Sequence, residues 1–232
     1  MKKAYISFLQ VFQQIRYDLM LLAACFTPIL AGILIKFGVP LLEKGIQFSL
    51  SEYYMIFDLF LSIMAPVLLC FAFAMITLEE MDDKVARYFS ITPLGKLGYL
   101  LSRLGIPAIL AVIITFIVLF FFSLSGQSLS MIAALAFMGA IQAIIIALMI
   151  ITLSTNKLEG MAVTKLASLT LLGIPVPFFI SGNIQFAVGF LPSFWVAKMI
   201  QTGAYWFLCP ALLVAALWYG FLGKRLVDKL AG

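Results

Sequence analysis

A chain of 232 residues that is 64% hydrophobic and only 11% charged cannot cover its own surface in water, because soluble domains run at roughly 45–50% apolar and about 25% charged. Its net charge of +5 fits a bias of Lys and Arg toward one membrane face better than nucleic-acid binding. The absence of histidine removes His-ligated zinc, Ser-His and Cys-His nucleophile pairs and imidazole bases, and no C-x-x-C spacing joins Cys25, Cys70 and Cys209, which are expected as free, buried thiols with no metal bound.

The whole chain, 1–232, reads as one membrane domain. Residues 1–18 are not a span: Tyr5, Phe8, Leu9, Phe12 and Ile15 fall at helical spacing, with Ser7, Gln10, Gln13, Gln14 and Arg16 between them. That is the pattern of an amphipathic helix lying in the membrane interface. Neither an early apolar core nor a small-residue cleavage site marks it as a signal peptide. Apolar runs then predict transmembrane helices at about 19–35, 53–78, 99–122, 131–153, 163–180 and 205–222.

Between the fifth and sixth runs, residues 181–203 are apolar but interrupted by Gly189, Pro192 and Lys198. The clean stretch falls short of the ~20 residues a crossing needs, so an outer re-entrant segment is expected there, with Asn183, Pro192 and Trp195 in it. Six spans with both termini cytoplasmic place 12 of the 15 Lys and Arg residues inside and leave Lys36, Lys44 and Lys198 outside. The expected class is therefore an all-α membrane protein with an interfacial N-terminal helix, six crossings and one re-entrant segment.

The longest polar stretch, 78–103, lies between the second and third spans. Glu79, Glu80, Asp82 and Asp83 crowd the start of an expected loop helix over 79–93, where the positive end of a helix dipole favours them. Glu80 with Lys84 and Asp83 with Arg87 have the favourable i,i+4 order. Met81, Val85, Tyr88 and Phe89 line another side, and Thr92-Pro93 ends the helix. Either a solvated loop helix or a docking helix for a partner accounts for this pattern. The second polar loop, with Asn156, Lys157, Glu159 and Gly160, is short enough to be a connector.

Within the spans Asp58 stands out. A carboxylate at the bilayer centre costs roughly 2.5–3.5 kcal/mol, less toward the edge. It is read as an edge residue reaching the outer interface, as one hydrogen-bonded to a neighbouring helix, or as lining a transport path together with Ser62 and Thr27. Prolines at 28, 66, 107, 175, 177 and 210 each remove a backbone hydrogen bond. Gly139, Ala143 and Ala147 have the small-xxx-small spacing that lets helices approach, used here inside the subunit. Tyr99, Trp195, Tyr205 and Trp206 are expected as interface anchors.

Taken in order, the E-E-x-D-D run after span two, the S-I-T-P-L break with Gly98-Tyr99-Leu100 and Arg103, N-K-L-E-G-M-A-V-T-K at 156–165 and F-L-P-S-F-W-V-A-K at 190–198 resemble the permeases of type-2 ABC transporters. The likeness is closest to small bacterial drug and natural-product exporters, and it covers nearly the whole chain. It implies a permease subunit in the bacterial plasma membrane, paired with a second permease (a homodimer first) and with two copies of a cytoplasmic ATPase. The helix around 79–89 would be the coupling helix, the loop at 156–160 a secondary contact, and 181–203 the outer re-entrant pair. ATP and Mg would be bound by the partner, since no G-x-x-x-x-G-K-[ST] phosphate loop occurs here. The chain is then a transport subunit with no catalytic residues, no cofactor of its own and no nucleic-acid partner. An ion-gradient transporter and a non-transporting immunity or scaffold subunit are the rivals; a single buried carboxylate is thin support for the first.

Overall fold

The structure, a computed structural model, describes the backbone of residues 2–46, 49–83 and 95–231 and the side chains of 9–10, 12–45, 49–83 and 98–229. Among the described residues every regular element is helical. Helix α1 (Lys2–Tyr17) leads into α2 (Leu19–Gly45), α3 (Ser51–Asp82), α4 (Gly98–Phe122) and α5 (Leu129–Leu153). Then come α6 (Lys157–Ala167), α7 (Pro192–Thr202) and α8 (Tyr205–Lys229). Five of these, α2, α3, α4, α5 and α8, are long and apolar enough to cross a membrane, and the chain is a multi-pass membrane protein.

Helices α3 and α5 form the centre. In each, 72% of the most apolar window is buried, against 17–28% in α2, α4 and α8. The two central helices touch backbone to side: a Cβ on Gly139 would sit 2.2 Å from the carbonyl oxygen of Ser62. Only glycine permits that approach. Ala143 and Ala147, one and two turns on, are also buried in the core, so the small-residue stripe packs inside the subunit. Helix α3 runs on unbroken through Pro66, as membrane helices tolerate.

Some span boundaries differ from the sequence expectation. The first span does not stop at residue 35: it continues to Gly45 through a π-turn at Leu34–Gly38. A second π-turn, Leu101–Gly105, sits in α4. Both occupy the same motif, LIKFGVP at 34–40 and LSRLGIP at 101–107. The proline has no N–H for the carbonyl four residues back, and a wider turn at that point absorbs the fault. The second span continues to Asp82, so Glu79, Glu80 and Asp82 form its last turn and do not open a separate loop helix.

The stretch expected as the fifth span is helical in pieces. Helix α6 passes into a 3-10 stretch at Ser168–Gly173, and a single turn at Val176–Phe179 follows Pro175. Beyond it come a 3-10 turn, Asn183–Val188, and α7, opened by Pro192. Helix α7 buries Phe194, and it places Val196, Ala197, Met199 and Ile200 in one core cluster with Leu59, Met131 and Phe207. Of the cysteines, Cys70 is buried and Cys25 half-buried, but Cys209 is exposed on α8, contrary to expectation.

Candidate functional site

The charged residues gather at the two ends of the bundle. One end holds the last turns of α3 and α8, the start of α6 and the junction of α1 with α2. There Arg103 and Glu80 form a two-pronged ion pair: Nη2 donates to Oε1 at 2.5 Å and Nε to Oε2 at 2.8 Å. Their side chains are 1% and 8% exposed. Tyr99 donates its hydroxyl to the same carboxylate at 3.0 Å, and its ring lies 5.2 Å from the Arg103 guanidinium carbon. Ser102 Oγ accepts from Arg103 Nη1 and donates to the Tyr99 carbonyl.

The π-turn carries Arg103 and Ser102 at its centre, and its altered winding changes the direction in which residues leave the helix. Glu80 sits where the helix dipole is negative, an unfavourable place for a carboxylate; the guanidinium fork compensates it. Tyr99, expected at the headgroup layer, is 2% exposed and belongs to this cluster.

A second tie lies nearby. Lys157 Nζ contacts Asp18 Oδ2 at 2.7 Å and Glu79 Oε2 at 3.4 Å. Asp18 also caps α2, its Oδ1 accepting from the N–H groups of Met20 and Leu21. The hydrogen bond from Lys157 holds the Asp18 carboxyl below its usual range. Burial pulls the Lys157 ammonium down, but the bond to Asp18 and the charge of Glu79 outweigh it and raise it. Asn156 caps α6 by accepting from Glu159 N–H at 2.9 Å, while the Glu159 carboxylate reaches back to Thr155 N–H at 2.6 Å and its hydroxyl at 2.7 Å. This is reciprocal capping, and Thr155 keeps Glu159 below the usual carboxylate range. Gly160 is buried, its hydrogen facing Leu78 and Met75 so closely that a Cβ would meet Leu78 at 2.5 Å. Lys229 donates to the carbonyls of Ile151 and Ser154. Asp82 and Asp83 are exposed. A cavity of about 1000 Å³ opens between Gln10, Gln13 and Gln14 of α1 and Glu79 and Asp83.

Thus the structure joins Glu79 to Lys157 and ties Glu80 inward, while Lys84, Arg87, Tyr88 and Phe89 lie outside the described residues. Sequence reading took Arg103 only as part of the family likeness. The repeated L-x-[Lys/Arg]-x-G-[Val/Ile]-P motif was the signal that could have singled it out.

At the opposite end Asp58 is 1% exposed. Its Oδ1 accepts from Leu124 N–H at 2.8 Å and its Oδ2 from Ser125 N–H at 2.9 Å and from the Ser125 hydroxyl. It thereby pins the turn between α4 and α5 to α3. Ser62 is fully buried and donates to Leu59 O, and half-buried Thr27 donates to Ala23 O; neither lies in Asp58's hydrogen-bond set. Among the α3 residues that keep some exposure, Phe57, Phe60, Met64, Val67 and Phe71 recur every three or four positions and so share one face.

Within 181–203, Asn183 is exposed and Pro192 buried. Trp195, expected as an interface anchor, donates its indole N–H to Gly189 O and packs against Phe186, Phe194 and Phe207. Trp218 donates to Phe190 O at 3.0 Å, tying the segment to α8. Among the described residues no group of three or more potential metal ligands occurs.

Residues 11–223 match a family described as fluoroquinolones export permease protein Rv2686c-like. Two curated relatives, both from Mycobacterium tuberculosis and both named fluoroquinolones export permease protein, are 26% identical over 164 residues: MT2760 of strain CDC 1551 / Oshkosh and Rv2686c of strain ATCC 25618 / H37Rv. The alignment covers 68% of this chain and 64% of each relative's length. No solved structure matches the chain.

Proposed function

Because the chain belongs to the Rv2686c-like family of export permeases, a bacterial drug-exporter family, we propose that it is the membrane subunit of an ATP-driven ABC exporter whose ATPase is a separate chain. The relatives' printed cargo, fluoroquinolones, makes an amphipathic drug the first cargo to try. The ATPase would be present in two copies, holding ATP and Mg. A second permease, first of all a second copy of this chain, would complete the path.

In this reading the end with Glu79, Glu80 and Lys157 is cytoplasmic, and so are both termini, with α1 resting in the interface. The pieced helix from Lys157 to Phe179 carries the sixth crossing, with its first turn, through Gly160, at the cytoplasmic face. At 1.5 Å per α-helical and 2.0 Å per 3-10 residue its helical parts beyond Gly160 rise roughly 28 Å in all, close to the thickness of a core of about 30 Å. Residues 181–203 are then re-entrant. The Phe190 carbonyl is held by Trp218, roughly 15 Å along α8 from Leu208, and α7 returns toward Tyr205.

The observation that carries the mechanism is the buried Glu80–Arg103 pair. It closes the base of the loop between α3 and α4, so a push on that loop moves both helices as one body. Exposed Glu79, Asp82 and Asp83 are left to face the ATPase, and Lys84, Arg87, Tyr88 and Phe89 are proposed to face it with them. The loop at Asn156, Lys157, Glu159 and Gly160 supplies the secondary contact. The Phe- and Met-bearing face of α3 suits an aromatic cargo, since methionine packs adaptably against rings. Asp58 serves as an anchor for the outer turn.

The test is purification of the chain with its ATPase, followed by transport in inverted vesicles. Export should require hydrolysable ATP, and reversing the charges of Glu79, Asp82 and Asp83 should abolish it while the subunit stays folded and inserted. Transport that survives without ATP, or a complex with no ATPase, would instead leave an ion-gradient transporter or a scaffold subunit.

A further inference from the structure

Lys198 is a cation in an apolar segment with no carboxylate within 4.0 Å among the described residues. It lies on α7, half-buried, and donates to two neutral oxygens: Gln185 Oε1 at 2.9 Å and Gln201 Oε1 at 3.1 Å. Each amide is itself fixed from behind. Gln185 Nε2 donates to Gly182 O at 2.8 Å, and Gln201 Nε2 donates to Pro177 O at 2.5 Å. Both oxygens are therefore aimed at the ammonium by bonds that leave the amides little freedom to turn.

Two amide dipoles orient a positive charge without cancelling it. An ammonium carries three donors, and an uncompensated charge in a low-dielectric segment attracts an anion strongly. Ionisable residues kept inside membrane segments usually serve a ligand or a pathway. The surroundings point to which anion. Phe186, next in sequence to Gln185, is 45% exposed, and its ring centroid lies 6.0 Å from that of Trp195. Trp195 precedes Lys198 by three residues on the same helix, which puts both on one face. The exposed ring of Phe186 and the partly exposed Trp195 therefore offer aromatic surface on the same segment as the charge.

We propose that Lys198, oriented by Gln185 and Gln201 and flanked by Phe186 and Trp195, is a binding site for the carboxylate of an aromatic acid. Its place in an export path rests on the transport reading above; its affinity for the acid does not. The site lies at the end of the bundle opposite the Glu80–Arg103 cluster, where such a carboxylate would be held last before release.

The experiment compares 2-naphthoate with its uncharged methyl ester, radiolabelled, on the full chain in lipid nanodiscs. Lys198→Gln should weaken naphthoate binding by about tenfold, close to one charge-assisted contact, and leave the ester unchanged. Lys198→Arg should retain most of the affinity for the acid. Equal losses for acid and ester, or no loss for either, overturn the site. So does a third result: naphthoate binding insensitive to Lys198→Gln while retention of phosphatidylglycerol is lost, which assigns the cation to a lipid phosphate. Binding needs no ATP, so unaltered chain that binds naphthoate but shows no ATP-driven transport refutes the exporter and leaves the site standing.

Discussion

Replacing Arg103 by Met leaves Glu80 buried at the base of the α3–α4 loop without its cation. The two side chains are 1% and 8% exposed, so water cannot take the place of the guanidinium. Breaking such a pair from one side costs about 3–5 kcal/mol. Tyr99 still donates to the carboxylate, which places the expected loss near the lower bound, about 3 kcal/mol, or roughly 150-fold in the unfolding equilibrium. Removing both charges, Glu80→Gln with Arg103→Met, takes away the desolvation cost along with the attraction. Such replacements are often neutral, and the double variant should recover to within about 1 kcal/mol of the parent. The assay is reversible unfolding of the purified chain in mixed micelles by SDS titration, read from tryptophan fluorescence for the parent, both single variants and the double. A single-variant loss under about 1 kcal/mol, or a double variant no more stable than Arg103→Met, refutes the assignment of a dry, mutually dependent pair. The double variant also separates packing from transmission: with stability recovered, ATP hydrolysis by the complex should persist while export falls, because the loop base is no longer clamped.

Asp58→Asn forfeits most of a carboxylate's bonds to Leu124, Ser125 and the Ser125 hydroxyl, an expected loss of about 3 kcal/mol. Export per folded molecule should not change, and selective loss of a cationic cargo in flux measurements would return Asp58 to the transport path. Gly139→Ala drives a Cβ onto the Ser62 carbonyl and should destabilise by about 1–3 kcal/mol. Gly220→Ala, with nothing within 4 Å of the new atom, should stabilise by up to about 1 kcal/mol in the same titration. The Asp18–Lys157 tie should depend on pH. A carboxyl lowered in the folded state contributes stability that is fully present above its ordinary value of 3.8 and is lost as pH falls through the lowered value. The stability gap between the parent and Asp18→Asn should therefore hold near pH 6 and close toward pH 3. Because Asn also caps helices well, the gap reports the charge and not the cap.

Hydropathy made the membrane class and most spans legible, because lipid forces every crossing into a long apolar helix whose backbone satisfies itself. The α4 and α5 runs were read to within a residue or two. The expected first span ends at 35, next to Lys36, ten residues short of Gly45, although a lysine stem can lie along an apolar helix and carry its charge outward. Four carboxylates at 79–83 suit a positive dipole end and so suggest a helix start, whereas 79–82 close α3. Local rules had no access to the guanidinium that tertiary folding brings to the negative end.

The amino-acid sequence on its own determined that this chain lives in a membrane, roughly where it crosses and which loops are polar, since those follow from composition and spacing along one strand of residues. Only the folded arrangement decided that Glu80 faces Arg103, that Asp58 holds the turn between α4 and α5, and that Lys198 stands between two glutamines with no carboxylate within 4.0 Å among the described residues. Partners 23, 66 and 13 positions apart meet because helices pack side by side, and no pattern of period 3.6 records which side chain a neighbouring helix will present.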